Sequence, residues 1–124
     1  MTDHIEDNLG GANLVKANLE GVNLEKANLE GANLTNARVR RANLRGANLR
    51  GANLRGVILE EAILEEANLE GANLEEANLL GAKRLTIDQL SKVKTLFNAK
   101  LDDELLIQLK EKYPALFKVP DYYK

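Results

Sequence analysis

The chain has 124 residues, the length of a single domain, and a formal net charge of −2, which gives no strong attraction to nucleic acid or to an anionic membrane. It contains no cysteine, so disulfides and thiolate metal sites are excluded. No apolar run approaches the roughly 20 residues of a membrane span, and the polar lead-in, residues 1–8, lacks the apolar core of a signal peptide. We therefore expect a cytoplasmic protein that binds neither nucleic acid nor membrane.

A five-residue repeat occupies residues 9–82. A leucine recurs at every fifth position, an alanine usually stands two residues before it, and an asparagine usually lies between them, as in Ala27-Asn28-Leu29. In an α-helix five residues advance about 500°, so the leucines would scatter around the helix. In a flat strand they would alternate between faces, because five is odd. The pattern therefore predicts an all-β solenoid that bends at every repeat and turns each leucine towards one axis.

The charged residues favour four repeats per coil. With three repeats per coil, Arg40 would lie opposite Arg55 and Glu60 opposite Glu75, and like charges directly opposite are destabilising. With four repeats, a glutamate and an arginine meet in seven contacts: Glu20–Arg40, Arg40–Glu60, Glu25–Arg45, Arg45–Glu65, Glu30–Arg50, Arg50–Glu70 and Arg55–Glu75. A column of glycines at the same spacing is typical of a corner that needs positive φ: Gly11, Gly31, Gly51 and Gly71.

Tandem Ala-Asn-Leu-x-Gly units, such as residues 27–31 and 47–51, resemble the pentapeptide-repeat proteins over about residues 7–82. The resemblance implies a right-handed quadrilateral β-helix, here of about four coils, with leucine and alanine inside and the other three positions outside. The departures from the pattern are Val22 and Val57 for alanine, Val39 for leucine, and Arg38, Ile58 and Ile63 for asparagine.

Two features of the outward positions are candidates for protein contacts. Ile58 and Ile63 occupy consecutive asparagine positions on adjacent sides of the third coil. Either they form a contact patch, or they are tolerated departures from the repeat sequence, or the C-terminal tail covers them. Arg38 and Arg41 belong to an arginine-rich second coil, which either is neutralised by the acidic coils beside it or binds an acidic partner. The asparagines themselves are expected to hydrogen-bond along the stack.

The repeat stops at about residue 82, and residues 83–124 are predicted to form an α-helical cap and tail. Apolar residues recur there at helical spacing: Ile87, Leu90, Val93 and Phe97. Thr86 and Gln89 match a capping box, Asp102 is the predicted N-cap of a second helix, and Pro114 ends that helix. This segment is expected to cover the open C-terminal coil. The alternative is dimerisation, for which some pentapeptide-repeat relatives use their C-terminal segment.

No catalytic, cofactor-binding or metal-binding residues are predicted. The only histidine, His4, lies in the lead-in, and the only serine, Ser91, lies in a predicted helix. We therefore expect a non-enzymatic protein that acts as an interaction or scaffold module, with an unidentified protein partner or a second copy bound at a solenoid end or the C-terminal tail. The resemblance to the pentapeptide-repeat proteins implies a bacterial source. The alternative is a DNA mimic that inhibits or protects a DNA-processing enzyme such as DNA gyrase, as some pentapeptide-repeat relatives do.

Overall fold

The computed structural model describes residues 8–124. The interpretation of His4 lies outside the described residues. From residue 8 to residue 83 the backbone pairs residues twenty positions apart, in parallel, beginning with Asn8 and Asn28 and ending with Ile63 and Lys83. Because one turn closes each five-residue repeat, four turns separate two paired residues. These residues therefore coil into a β-helix.

A tight turn ends each repeat. In a typical repeat the N–H of Ala32 donates to the carbonyl oxygen of Leu29 at 3.0 Å, which closes the turn. The third residue of the turn has positive φ whether it is glycine, as at Gly31 (68°), or carries a side chain, as at Arg41 (61°) and Glu61 (60°). The predicted positive-φ glycine column is confirmed, but every corner shares the conformation. The straight sides between turns are short, so only single residues pair between coils. Within residues 8–124 no strand longer than one residue forms.

Leucine and alanine fill the interior, as predicted. Leu49 is 1% exposed and Ala47 is 0% exposed, and the same two repeat positions are buried from about residue 24 to residue 79. Leu9, Leu14 and Leu19 are only half-buried, because they lie in the first coil at the end of the stack. The interior is therefore a continuous apolar column that leaves no room for an internal cleft.

All seven predicted contacts between opposite charges on adjacent coils are present. Arg45, for example, lies between Glu25 at 3.2 Å and Glu65 at 3.3 Å, and Arg50 lies between Glu30 at 3.1 Å and Glu70 at 2.9 Å. The other three contacts span 3.6 to 3.8 Å: Arg40 with Glu20, Arg40 with Glu60, and Arg55 with Glu75. Most of these side chains are exposed, so each pair contributes little to stability, but together they agree with the twenty-residue coil.

The prediction that the asparagines hydrogen-bond along the stack is wrong for most of them. Each asparagine oxygen instead accepts from the backbone N–H two residues later, as Asn43 does from Arg45 at 3.0 Å. Asn28 also donates along the stack, from Nδ2 to Oδ1 of Asn8 at 2.9 Å. The reason is local geometry, because an asparagine just before a turn reaches its own turn more readily than the next coil.

The β-helix continues beyond the predicted boundary at residue 82. Helix α1 spans Ile87–Ser91, and pairing then resumes between Asn73 and Thr95 and between Asn78 and Lys100. These partners are twenty-two residues apart, so the α1 side adds two residues to the coil. Val93 and Phe97, which were predicted to lie in the helix, follow it instead, because the backbone around Thr95 pairs with the preceding coil.

The remaining elements are helix α2, which spans Asp103–Lys112, and two 3₁₀ helices, Pro114–Phe117 and Asp121–Tyr123. Helix α2 packs against α1 and against the first 3₁₀ helix, and its buried residue is Leu109. The predicted capping box of Thr86 and Gln89 is confirmed. Asp102 stands at the N-cap of α2, but its carboxylate accepts from the N–H of Gly81 at 3.1 Å rather than from its own helix.

Candidate functional site

The four predicted contact residues lie around one corner of the β-helix. Arg38 and Ile58 are paired across adjacent coils on one side, and Ile63 lies on the next side. The turn between the two isoleucines is closed by the N–H of Ala62, which donates to the carbonyl oxygen of Leu59 at 3.0 Å.

The next coil adds a residue that the sequence analysis missed. The carbonyl oxygen of Leu80 accepts from the N–H of Glu61 at 3.0 Å, so Leu80 stacks on this corner, where its side chain is 38% exposed. The signal was available, since Leu80 continues a column of charged residues at Glu20, Arg40 and Glu60. We term the five residues the corner surface: Arg38, Arg41, Ile58, Ile63 and Leu80.

The two isoleucines are half-buried rather than fully outward. Ile58 lies between Arg38 and Asn78 in its column, and Ile63 lies between Asn43 and Lys83. Long basic side chains commonly lay their methylene groups over neighbouring apolar surface. The apolar part of the corner surface is therefore flanked by aliphatic stems that end in positive charge.

The two arginines of the corner surface differ in their partners. Arg41 Nε donates to Oε1 of Glu61 at 2.9 Å, and this hydrogen bond raises the pKa of Arg41 and lowers the pKa of Glu61. Arg38 is exposed and takes part in none of the ion pairs found within residues 8–124. Since Arg38 pairs with Ile58 across adjacent coils, its guanidinium, which has no ion-pair partner within residues 8–124, lies next to one isoleucine of the corner surface.

A second group of residues was not predicted at all. Glu75 is 0% exposed, although glutamates at the same repeat position elsewhere are well exposed, such as Glu70 at 57%. Its two carboxylate oxygens accept from the hydroxyls of Tyr122 and Tyr123, and Arg55 Nε lies 3.6 Å from Oε2. The sequence signal was the pair of adjacent tyrosines near the C-terminus, but nothing in the repeat indicated where they would dock.

Burial by itself raises the pKa of Glu75. The hydrogen bonds from Tyr122 and Tyr123 and the charge of Arg55 act in the opposite direction and prevail, so the pKa of Glu75 lies below its ordinary value. The hydrogen bonds to Glu75 also raise the pKa of each tyrosine. Glu75 is therefore held ionised while both tyrosines stay protonated as donors.

Within residues 8–124 no three histidine or acidic residues come together in a way that could hold a metal ion. Within the same part of the chain, the helices are too short and too polar to cross a membrane.

The model of the family described as pentapeptide repeats matches the chain over residues 8–41, 25–60 and 52–83. Among solved structures, a pentapeptide repeat protein (Rfr23) from the cyanobacterium Cyanothece 51142 is 39% identical over 73% of this chain and 57% of its own, with a TM-score of 0.46. A pentapeptide repeat protein from Nostoc Pcc 7120 is 32% identical over 77% of this chain and 84% of its own, with a TM-score of 0.44.

A third similar structure is QnrB1, a plasmid-mediated fluoroquinolone resistance protein. It is 19% identical over 85% of this chain and 65% of its own, with a TM-score of 0.41. No curated protein matches the chain significantly. The chain therefore spans little more than half the length of the Cyanothece protein and most of the length of the Nostoc one.

Proposed function

The chain belongs to the pentapeptide-repeat family, whose fold is a right-handed β-helix, and we propose that it is a non-enzymatic interaction or scaffold module of the cytoplasm. The module is a quadrilateral rod of about four coils with a helical C-terminal cap. Its partner is a protein surface with an apolar centre and a carboxylate at the edge, bound at the corner surface.

The observation that carries this proposal is the placement of three large apolar residues around one corner of the β-helix, at repeat positions that are mostly polar or charged elsewhere: Ile58, Ile63 and Leu80. The interior of the rod is filled by leucine and alanine, so recognition takes place on the outside. Ile58 and Ile63 lie on the two sides of this corner, Leu80 stacks on the turn between them, and Arg38 pairs with Ile58 across adjacent coils. The fully buried core of a protein–protein interface is more apolar than the rest of the surface, and arginine is enriched at interfaces.

The contacts of the C-terminal segment support its role as a cap. An uncovered coil would leave backbone groups without partners and apolar residues in water. Gln89 Nε2 donates to the carbonyl oxygens of Leu64 at 2.8 Å and Ala67 at 3.0 Å, on the side where α1 interrupts the pairing. At the next corner the carboxylate of Asp102 accepts a hydrogen bond from the N–H of Gly81. Polar side chains thus replace the missing coil.

Replacing Ile58 and Ile63 together by asparagine is expected to leave the fold intact and to weaken partner binding by at least about tenfold. Asparagine is the ordinary residue at this repeat position, so the turn geometry is kept while two apolar contacts are lost. The measurement is capture from a lysate of the source organism, quantified for the native protein and the double variant side by side, with unfolding followed by circular dichroism.

The matched control is Ile107→Asn, which changes an isoleucine that is 65% exposed on helix α2 and lies outside the corner surface. Sedimentation of all three proteins separates a foreign partner from a second copy of the chain. Equal capture by the native protein and the double variant would refute binding at the corner surface. Self-association at a solenoid end, where Leu9 and Leu14 are half-buried, would survive the double substitution.

The alternative of a DNA mimic finds less support in the surface charge. A mimic of duplex DNA needs a continuous row of negative charge. Here Arg40, Arg45 and Arg50 each lie between two glutamates from the neighbouring coils, which interrupts such a row. In a DNA gyrase supercoiling assay we expect neither inhibition by the protein nor protection from fluoroquinolones, and either effect would favour the alternative.

A further inference from the structure

The burial of Glu75 is caused by the tail. At the repeat position of Glu75, the side chains of Glu25, Glu65 and Glu70 are 28%, 40% and 57% exposed, although each pairs with an arginine as Glu75 does. What distinguishes Glu75 is that Tyr122 and Tyr123 donate to its two carboxylate oxygens. If the tail left, Glu75 would regain water and resemble the other glutamates.

The tail beyond the first 3₁₀ helix has few other attachments. No residue from 118 to 124 is buried, and Tyr122 and Tyr123 remain 56% and 48% exposed. Further contacts include a ring pair of Tyr123 with Phe97, at 6.3 Å between centroids, and Lys94 Nζ at 6.0 Å from the Tyr122 ring. The polar contacts of the tail with the β-helix therefore centre on the two tyrosine hydroxyls and the carboxylate of Glu75.

Arg55 completes the site from the preceding coil. One terminal nitrogen of Arg55 donates to the hydroxyl of Tyr123 at 3.2 Å, and the same nitrogen lies 3.6 Å from Glu76. The guanidinium of Arg55 therefore contacts both the carboxylate of Glu75 and the hydroxyl of Tyr123. The charged groups around the tyrosines are Arg55, Glu75, Glu76 and Lys94.

We propose that the C-terminal segment 120–124 is a reversible latch, in which Tyr122 and Tyr123 engage Glu75 and Arg55 on the β-helix and the segment leaves as a unit when the carboxylate is neutralised. The latch closes over the corner formed by Arg55 and Glu75, next to the side that carries Ile58 and Asn78.

The effect of pH follows from the direction of the pKa shifts. The pKa of Glu75 is lowered in the folded chain, so the stability that its charge gives the latch is present above the ordinary carboxyl pKa and is lost as pH falls through the lowered value. The pKa of each tyrosine is raised, so the hydroxyl donors persist until strongly alkaline pH. The latch is therefore closed at neutral pH and opens in acid.

The first test is digestion of the C-terminus by a mixture of carboxypeptidases A and B at neutral pH. Glu75→Gln is expected to speed release of Tyr122 and Tyr123 by at least about tenfold, because hydrogen bonds to a charged acceptor are worth that order in an equilibrium. Glu70→Gln is the matched control, since Glu70 has the same repeat position and an arginine partner at 2.9 Å but no tyrosine. Equal digestion of the two variants would overturn the proposal.

The second test keeps the rings and removes only the hydroxyls. Tyr122→Phe/Tyr123→Phe is expected to digest as fast as Glu75→Gln, whereas Tyr113→Phe, which changes a tyrosine outside the latch, digests as the native protein does. With ring-labelled tyrosine, the NMR signals of Tyr122 and Tyr123 are expected to shift between pH 7 and the most acid pH at which the β-helix stays folded in the native protein, and not in Glu75→Gln. Native signals that stay fixed over that range would contradict a latch that depends on the carboxylate charge.

Discussion

Replacing Leu49 by arginine is expected to abolish folding of the β-helix, with loss of its circular dichroism signal and of compact sedimentation. Leu49 is 1% exposed and surrounded by leucine and alanine. Burying a charge with no partner costs several kcal/mol or more, whereas a small domain is stable by only about 5–15 kcal/mol. Because each coil pairs only with its neighbours, a broken middle coil also separates the two ends of the rod.

Two control variants distinguish the effect of burying a charge from the effect of any substitution in the repeat. Leu14→Arg changes the same repeat position in the first coil, where the side chain is only half-buried, and is expected to leave the protein folded. Arg50→Ala removes an exposed charge next to Leu49 in sequence and is expected to leave the unfolding midpoint almost unchanged. A folded, monomeric Leu49→Arg protein would contradict the assignment of leucine to the interior.

Replacing Leu109 by aspartate is expected to release helix α2 from the end of the β-helix. Leu109 is 0% exposed and is the buried residue of α2, so a carboxylate there would lose water without gaining a partner. Hydrogen–deuterium exchange should become fast throughout residues 103–124 and remain slow in residues 24–79. We also expect self-association, because the uncovered coil presents apolar residues and unpaired backbone groups.

The control for this experiment lies two residues away. Ile107 belongs to the same helix and is 65% exposed, so Ile107→Asp introduces the same charge without burying it. Its exchange pattern should match that of the native protein. If Leu109→Asp left exchange in α2 unchanged, the attachment of this helix would depend on contacts other than Leu109.

The latch and the corner surface can be tested against each other, because the corner of Arg55 and Glu75 borders the side that carries Ile58. Ile58 lies on the side bounded by the corner of Arg55 and by the corner of Glu60. If both proposals hold, Glu75→Gln should change the affinity for a partner that the Ile58→Asn/Ile63→Asn variant has lost. The two variants therefore distinguish a contact residue from one that controls access to it.

The coil can be derived from the repeat in the sequence. A period of five is incompatible with a straight helix or a flat strand, so the leucines, Leu49 among them, could be assigned to the interior. The resemblance to the pentapeptide-repeat proteins implied the same for the alanines, such as Ala47. The alternation of glutamate and arginine then indicated twenty residues per coil, and the seven contacts it predicted are present. Thr86 and Gln89 could be identified as a capping box because that motif is contained in four residues.

The tertiary structure alone decided where the chain goes after residue 83. Apolar spacing predicted helix through Phe97, but Thr95 and Lys100 pair with the coil below because that coil offers unpaired backbone groups. The same applies to Asp102, whose carboxylate accepts from the N–H of Gly81 rather than from its own helix. It also applies to Glu75, which is buried by Tyr122 and Tyr123, far along the chain. Periodic contacts recur at one fixed spacing and can be read from sequence, whereas these contacts each occur once, at a separation that only the folded chain sets.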